Sequence, residues 1–190
     1  IASSERIFEF LESDEETFGE KELDHQVLGN VKFDHVSFGY DENKTIIKDF
    51  TLNVRAGEKV AIVGPTGAGK TTLVKLLMNF YKVNSGEITV DGMNINDYKI
   101  DELRKNFGMV LQDTWLYSGT IMENLKYGKL DASDEEVYKA CKIANVDHFI
   151  RTLPDGYNMQ IDEEKANISQ GQKQLLTIAR AVLANSKILI

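Results

Sequence analysis

Gly64-Pro65-Thr66-Gly67-Ala68-Gly69-Lys70-Thr71 fits the pattern G-x-x-x-x-G-K-[ST], and no other feature of this sequence constrains the fold as much. Glycines let a backbone curl until successive amides point at one spot. A helix that opens directly afterwards adds its positive end to that spot. The flanking residues suit this geometry. Lys59-Val60-Ala61-Ile62-Val63 is a short apolar run set between glycines, which predicts a buried strand. Leu73, Leu76, Leu77 and Phe80 recur at helical spacing and predict an amphipathic helix over 71–80. Strand, loop and helix together predict a phosphate cradle made by Gly64, Pro65, Thr66, Gly67, Ala68, Gly69, Lys70, Thr71 and Thr72. Lys70 is a point charge for the outer phosphates, and the Thr71 hydroxyl is a ligand for Mg²⁺. Such a loop does not by itself choose between kinases, GTPases, helicases and transport ATPases.

The rest of the chain frames this loop. The first 28 residues are acidic and irregular after a short amphipathic start in which Ile7, Phe8, Phe10 and Leu11 share one helical side. Glu12–Glu16 and Glu20–Asp24 read as a solvated linker. Val31–Phe38 alternates as a half-buried strand does, Asp41–Lys44 reads as a turn, and Ile46–Val54 alternates again. Ser85-Gly86 reads as a turn before the strand Glu87–Val90, and Asp91-Gly92 is a hairpin signal. Phe107–Gln112 reads as a further strand, and Lys187–Ile190 as another. Residues 114–167 are mostly helical. Ser133-Asp134-Glu135-Glu136 and Ser169-Gln170-Gly171-Gln172 both have the form of a capping box, and the second opens a helix to about Ala184.

Composition narrows the partners. The 190 residues fit one domain, or one domain with a lobe. A net charge of -8 argues against nucleic acid, whose phosphates favour a basic face. One cysteine, Cys141, excludes an internal disulfide and sits in a helical pattern as a small buried residue. His25, His35 and His148 are scattered and read as structural or exposed. No apolar run approaches the roughly 20 residues of a spanning helix, and no signal-peptide pattern is present. The chain opens on Ile1-Ala2-Ser3-Ser4 without a methionine and reads as a piece of something longer.

Four further features choose among the loop-bearing ATPases. Tyr40 follows Val36-Ser37-Phe38-Gly39, and Gln112 ends Gly108-Met109-Val110-Leu111. Thr114–Leu125 reads Thr-Trp-Leu-Tyr-Ser-Gly-Thr-Ile-Met-Glu-Asn-Leu. Asn167-Ile168-Ser169-Gln170-Gly171-Gln172 leads into Lys173–Ala181 about a hundred residues after the glycine loop. With that loop, these features resemble the nucleotide-binding domain of the ATP-binding cassette (ABC) transporters, of the exporter, multidrug and lipid type. The resemblance spans essentially the whole chain. It implies an α/β fold: a P-loop NTPase core with a mixed sheet and an antiparallel β subdomain, plus an α-helical lobe near 114–167. Residues 29–190 are then the nucleotide-binding domain, incomplete at its C-terminal end. Residues 1–28 become a linker from a transmembrane domain of the same natural chain, since Ile1–Leu11 is similar to exporter linkers.

The resemblance also implies roles. Tyr40 stacks on the adenine of ATP; stacking needs a flat π face and carries no base code. Gln112 touches Mg²⁺ and the attacking water, so Gln112 and Lys70 carry the catalytic assignments, and Thr71 and Gln112 the metal ones. Ser169, Gln170, Gly171 and Gln172 form a signature that acts in trans, closing on the γ-phosphate held by a second nucleotide-binding domain. Ser169 serves equally as an ordinary helix cap. Localisation follows as the cytoplasmic face of a membrane, touched only through the transmembrane domain.

Some positions depart from the family. Ile168 and Gln170 stand where the signature commonly has Leu and Gly, and Gln160–Asn167 lacks the usual glycine-rich pattern. The apolar run at Ile188-Leu189-Ile190 ends before the acidic pair that supports Mg²⁺ and polarises water, so this piece alone is expected to hydrolyse ATP poorly. Two other readings stay open. One is a degenerate, mainly ATP-binding half of a heterodimeric exporter; the other is a soluble cassette ATPase outside transport. The transported substrate is not legible.

Overall fold

Val31, Phe33, Val36 and Phe38 turn inward from strand β1 (Val31–Phe38), and a register shift between Phe33 and Val36, where His35 has a φ of 48°, resets the alternation midway. The computed structural model describes residues 2–12, 19–22, 26–41, 44–111, 114–161 and 168–190, and the side chains of 2–5 and 9 are left aside. β1 is the centre of an antiparallel sheet in the order β2-β1-β3-β4, with β2 at Ile47–Val54, β3 at Ser85–Val90 and β4 at Met93–Asn94. Val31 pairs with Val54 on one side and with Val90 on the other. Asp91 and Gly92, with φ of 49° and 82°, make the two-residue hairpin turn between β3 and β4. Helix α1 (Ala2–Leu11) precedes the sheet, and Ile7, Phe8, Phe10 and Leu11 are all exposed on it.

Helix α2 (Lys70–Leu77) lays Leu73, Leu76 and Leu77 against this sheet. The core there also holds Phe33, Val36, Ile88, Val90 and Tyr98. α3 (Ile100–Arg104) leads to β5 (Phe107–Gly108), which pairs in parallel with β8 (Ile188–Leu189). The ladder runs on through Ile190, whose amide donates to the Gly108 carbonyl and whose carbonyl accepts from the Val110 amide, both at 2.8 Å.

A second core belongs to the helical lobe. There β6 (Gly119–Thr120) pairs with β7 (Gln160–Ile161), and four helices follow one another: α4 (Ile121–Lys126), α5 (Asp134–Ile143), α6 (Asp147–Thr152) and α7 (Gln170–Ala184). Ile121, Leu125, Val137, Ile150, Leu176 and Ala179 fill it. Capping boxes open α4 at Thr120 and Glu123, α5 at Ser133 and Glu136, and α7 at Ser169 and Gln172. Cys141 is buried, and burial pushes its thiol up to about 11.

Several sequence expectations are corrected. The run Lys59–Val63 is not a buried strand: it joins no ladder, and Val63 is 86% exposed. An apolar run becomes a central strand only where neighbours accept its backbone groups, and β5 and β8 pair with each other instead. α2 stops at Leu77 because Asn79 enters the left-handed region at φ 55°. Phe80 therefore lies outside the helix, under the Arg104 guanidinium at 4.5 Å. Ser85 and Gly86 belong to β3, where Gly86 has a φ of 79° beside a shift in the β1–β3 register. Lys21 is tied down too: its amide donates to the Asp97 carbonyl, and its carbonyl accepts from the Lys99 amide. Much of the remaining predicted linker, with His25, lies outside the described residues.

Candidate nucleotide-binding site

The glycine loop is shaped by two left-handed glycines. Gly67 has a φ of 84° and Gly69 of 87°, a region that costs an L side chain about 1–2 kcal/mol. The Ala68 amide closes a turn on the Pro65 carbonyl at 3.2 Å. Gly69 is also a matter of space, because a Cβ there would stand 2.6 Å from the Ile47 Cδ1 of β2. The loop thus rests directly on the antiparallel sheet, and α2 springs from the resting point.

Gly69 is the N-cap of α2 and offers no side-chain acceptor, so no side chain at the cap takes up the first-turn amides of that helix. These amides and the positive helix end are suited to an anion. Lys70 bends back across the loop, and its ammonium donates to the carbonyls of Gly64 and Pro65 at 2.7 and 2.8 Å. Thr71 is exposed beside it, and Thr72 is buried. The donor set fits a polyphosphate with a shared Mg²⁺: amides and an ammonium for the phosphate oxygens, and the hydroxyl of Thr71 for a metal also held by those oxygens.

Tyr40, just past the end of the inner strand β1, reaches the same helix. Its hydroxyl lies 3.5 Å from the Thr72 Oγ1, and the residue is 46% exposed. The structure therefore brings Tyr40 and the helix that follows the glycine loop together, 32 residues apart in sequence. Gln112 lies outside the described residues, but both its flanks are held. The Gln174 side-chain amide donates to the Leu111 carbonyl at 3.4 Å, and the Gln170 side-chain amide to the Thr114 hydroxyl at 3.0 Å.

Ser169 caps α7 through the Gln172 amide at 3.3 Å, while the Gln172 side chain accepts from the Ser169 amide at 2.9 Å. Ser169, Gln170 and Gly171 are exposed. Apart from its chain neighbours and the backbone of its own helix, no atom of the described residues lies within 4 Å of where a Gly171 Cβ would stand, so packing does not require glycine there. Farther along α7, Arg180 donates to the Asn124 carbonyl at 2.9 Å and to the Trp115 carbonyl at 3.2 Å. It is half-buried, and desolvation lowers its pKa. Sequence reasoning missed Thr114, Gln174 and Arg180 as members of one framework, because contacts across 56 to 65 residues leave no local mark.

Comparison with known proteins shows the family. The ABC transporter family matches residues 47–190. An uncharacterised ABC transporter ATP-binding protein of Bacillus subtilis, YfiC, is 50% identical over all of this chain, which covers 32% of that protein. The fatty acid ABC transporter ATP-binding/permease protein of Mycobacterium tuberculosis is 49% identical over all of this chain and 30% of its own length. A solved bacterial Atm1-family ABC exporter with ATP bound superposes with a TM-score of 0.88 at 37% identity, over 99% of this chain and 33% of that one. The chain thus spans about a third of the length of these relatives. By the reach and strength of these matches, the chain belongs to the ABC transporter family and is a nucleotide-binding domain of the exporter type.

Proposed function

We propose that this domain is the ATP-driven motor of a membrane exporter, working head to tail with a second nucleotide-binding domain. In this reading Gly64–Thr72 wraps the phosphates of ATP, Lys70 neutralises the outer ones, and Thr71 shares Mg²⁺ with them. Tyr40 stacks on the base, and Gln112 orients water and metal. Ser169–Gln172 faces the γ-phosphate of the partner domain, offering amides, a hydroxyl and the positive end of α7. Residues 1–28 join the motor to a transmembrane domain, at the cytoplasmic face of the membrane. Hydrolysis draws mostly on positioning and charge stabilisation.

The observation that carries the proposal is Lys70 folded over the loop carbonyls at the uncapped start of α2. Among the described residues no helix is long and apolar enough to cross a membrane, in keeping with a motor that meets the bilayer through another domain. Export as the coupled event is supported by the relatives, one of which is a putative multidrug export ATP-binding/permease protein of Bacillus subtilis.

The test is calorimetric titration of the chain with Mg·ATP. Lys70→Ala should weaken binding at least tenfold, about 1.4 kcal/mol. Unchanged affinity would remove the phosphate site and the proposal with it. In the natural full-length protein, Gln112→Ala and Ser169→Ala should each lower ATP turnover while ATP binding to the isolated domain persists.

A further inference from the structure

Tyr40 does not stand alone at the nucleotide site. Its ring meets Tyr81 at 5.0 Å and 83°, and Phe38 at 5.1 Å and 82°. Phe38 and Tyr81 touch each other at 5.7 Å, which closes a three-ring cluster. Phe38 is buried at the end of β1, whereas Tyr40 and Tyr81 are 46% and 41% exposed. Two perpendicular neighbours fix the plane of the Tyr40 ring, and its hydroxyl lies 3.5 Å from Thr72. The exposure that remains is room for a flat partner.

Tyr81 is itself firmly placed. Asn79 turns the chain at the end of α2, its own side chain donating to the Ile95 carbonyl at 3.3 Å. Arg104 donates to the carbonyls of Met78 and Asn79, both at 3.3 Å. Past Tyr81, the Asn84 amide donates to the Ser37 carbonyl at 3.0 Å, and the Asn84 side chain accepts from the Gly39 amide at 2.7 Å. The strap 79–84 is thereby bonded to both sides of Phe38. Lys75 stands 6.0 Å from the centroid of the Tyr81 ring.

From this geometry we infer that Tyr81 is a positioning residue for the base of the nucleotide, holding the Tyr40 ring ready for stacking. The inference rests on the proposed ATP site and on Tyr40 as its base platform. An exposed tyrosine without such support would share its time among rotamers, and ordering it would subtract from binding. Tyr81 removes that loss in advance. Edge-to-face pairs are strong enough to account for a few-fold effect.

The test compares Mg·ATP with inorganic tripolyphosphate, which has the phosphates and no base. Tyr81→Leu keeps apolar bulk without a ring, and Tyr81→Phe keeps the ring. Tyr81→Leu should weaken Mg·ATP about three- to tenfold and leave tripolyphosphate within about twofold, while Tyr81→Phe binds both like the wild type. The double variant Tyr40→Ala/Tyr81→Leu should bind Mg·ATP no more weakly than Tyr40→Ala alone, since Tyr81 acts through Tyr40. Equal weakening of both ligands by Tyr81→Leu would assign Tyr81 to folding only and overturn the inference. Unchanged Mg·ATP affinity, or additive losses in the double variant, would overturn it as well. If Tyr40→Ala itself binds Mg·ATP like the wild type, base stacking on Tyr40 is the part that fails; if the wild type binds neither ligand, the phosphate site fails.

Discussion

The side-chain amide of Gln170 donates a 3.0 Å hydrogen bond to the Thr114 hydroxyl, across 56 residues of sequence. Gln174, one turn further along the same face of α7, donates to the Leu111 carbonyl at 3.4 Å. One helical face therefore grips the chain on both sides of Gln112. Gln170 makes the shorter of these two bonds.

Gln170→Ala should lower stability by about 0.5–1 kcal/mol, the usual net value of one hydrogen bond with some exposure. Thr114→Val should cost a similar amount. Urea unfolding of both single variants and the double variant gives the coupling, expected at about 0.5 kcal/mol. A coupling of zero would mean that the contact does not contribute to holding α7 against the 111–114 segment.

Asp91 carries a different load. Its carboxylate accepts from the amides of Leu28 at 2.7 Å, Gly29 at 3.2 Å and Asn30 at 2.9 Å, and from the Asn30 side chain at 2.8 Å. Burial opposes its ionisation, but the bonds from Asn30, Leu28 and Gly29 outweigh burial and hold the carboxyl below its ordinary 3.8. A group whose pKa is lowered by folding stabilises fully above its unfolded value, and that contribution fades as pH falls through the folded value. Asp91→Asn, which keeps a residue tolerant of the φ of 49°, should cost about 2 kcal/mol at neutral pH. The gap between wild type and variant should narrow as pH drops below about 4. A gap constant from neutral pH down to acid unfolding would refute the assignment.

What could be read from the sequence divides along physical lines. The capping boxes at Ser133 and Ser169 and the turn at Asp91-Gly92 are local: each is closed by groups within three or four residues, so the residue types announce the geometry. The loop from Gly64 to Thr71 is legible for the same reason. Lys59–Val63 differs from its pattern because an apolar run signals a tendency to burial and says nothing about which strand will accept its ladder. The contacts of Tyr40 with Tyr81 and of Gln170 with Thr114 are invisible beforehand, since they join residues 41 and 56 positions apart. Local pattern therefore names candidate residues one by one, whereas the long-range contacts that support them leave no such mark.

Gly67 and Gly69 test how the loop is held, because the same substitution meets two different surroundings. Both residues have a φ near 85°, so alanine at either position pays the left-handed cost of about 1–2 kcal/mol. At Gly67 a Cβ would meet nothing within 4 Å, whereas at Gly69 it would press on the Ile47 Cδ1 at 2.6 Å and the Ile46 Cγ2 at 3.2 Å. Ile47 is buried at the start of β2 and has little room to yield, so overpacking adds about 1–3 kcal/mol at Gly69 only. Gly69→Ala should therefore lower the urea midpoint clearly more than Gly67→Ala, and Ile47→Val should recover part of the difference when combined with it. Equal midpoints for the two glycine variants would show that the loop does not bear on β2, and that its shape comes from its own turn alone.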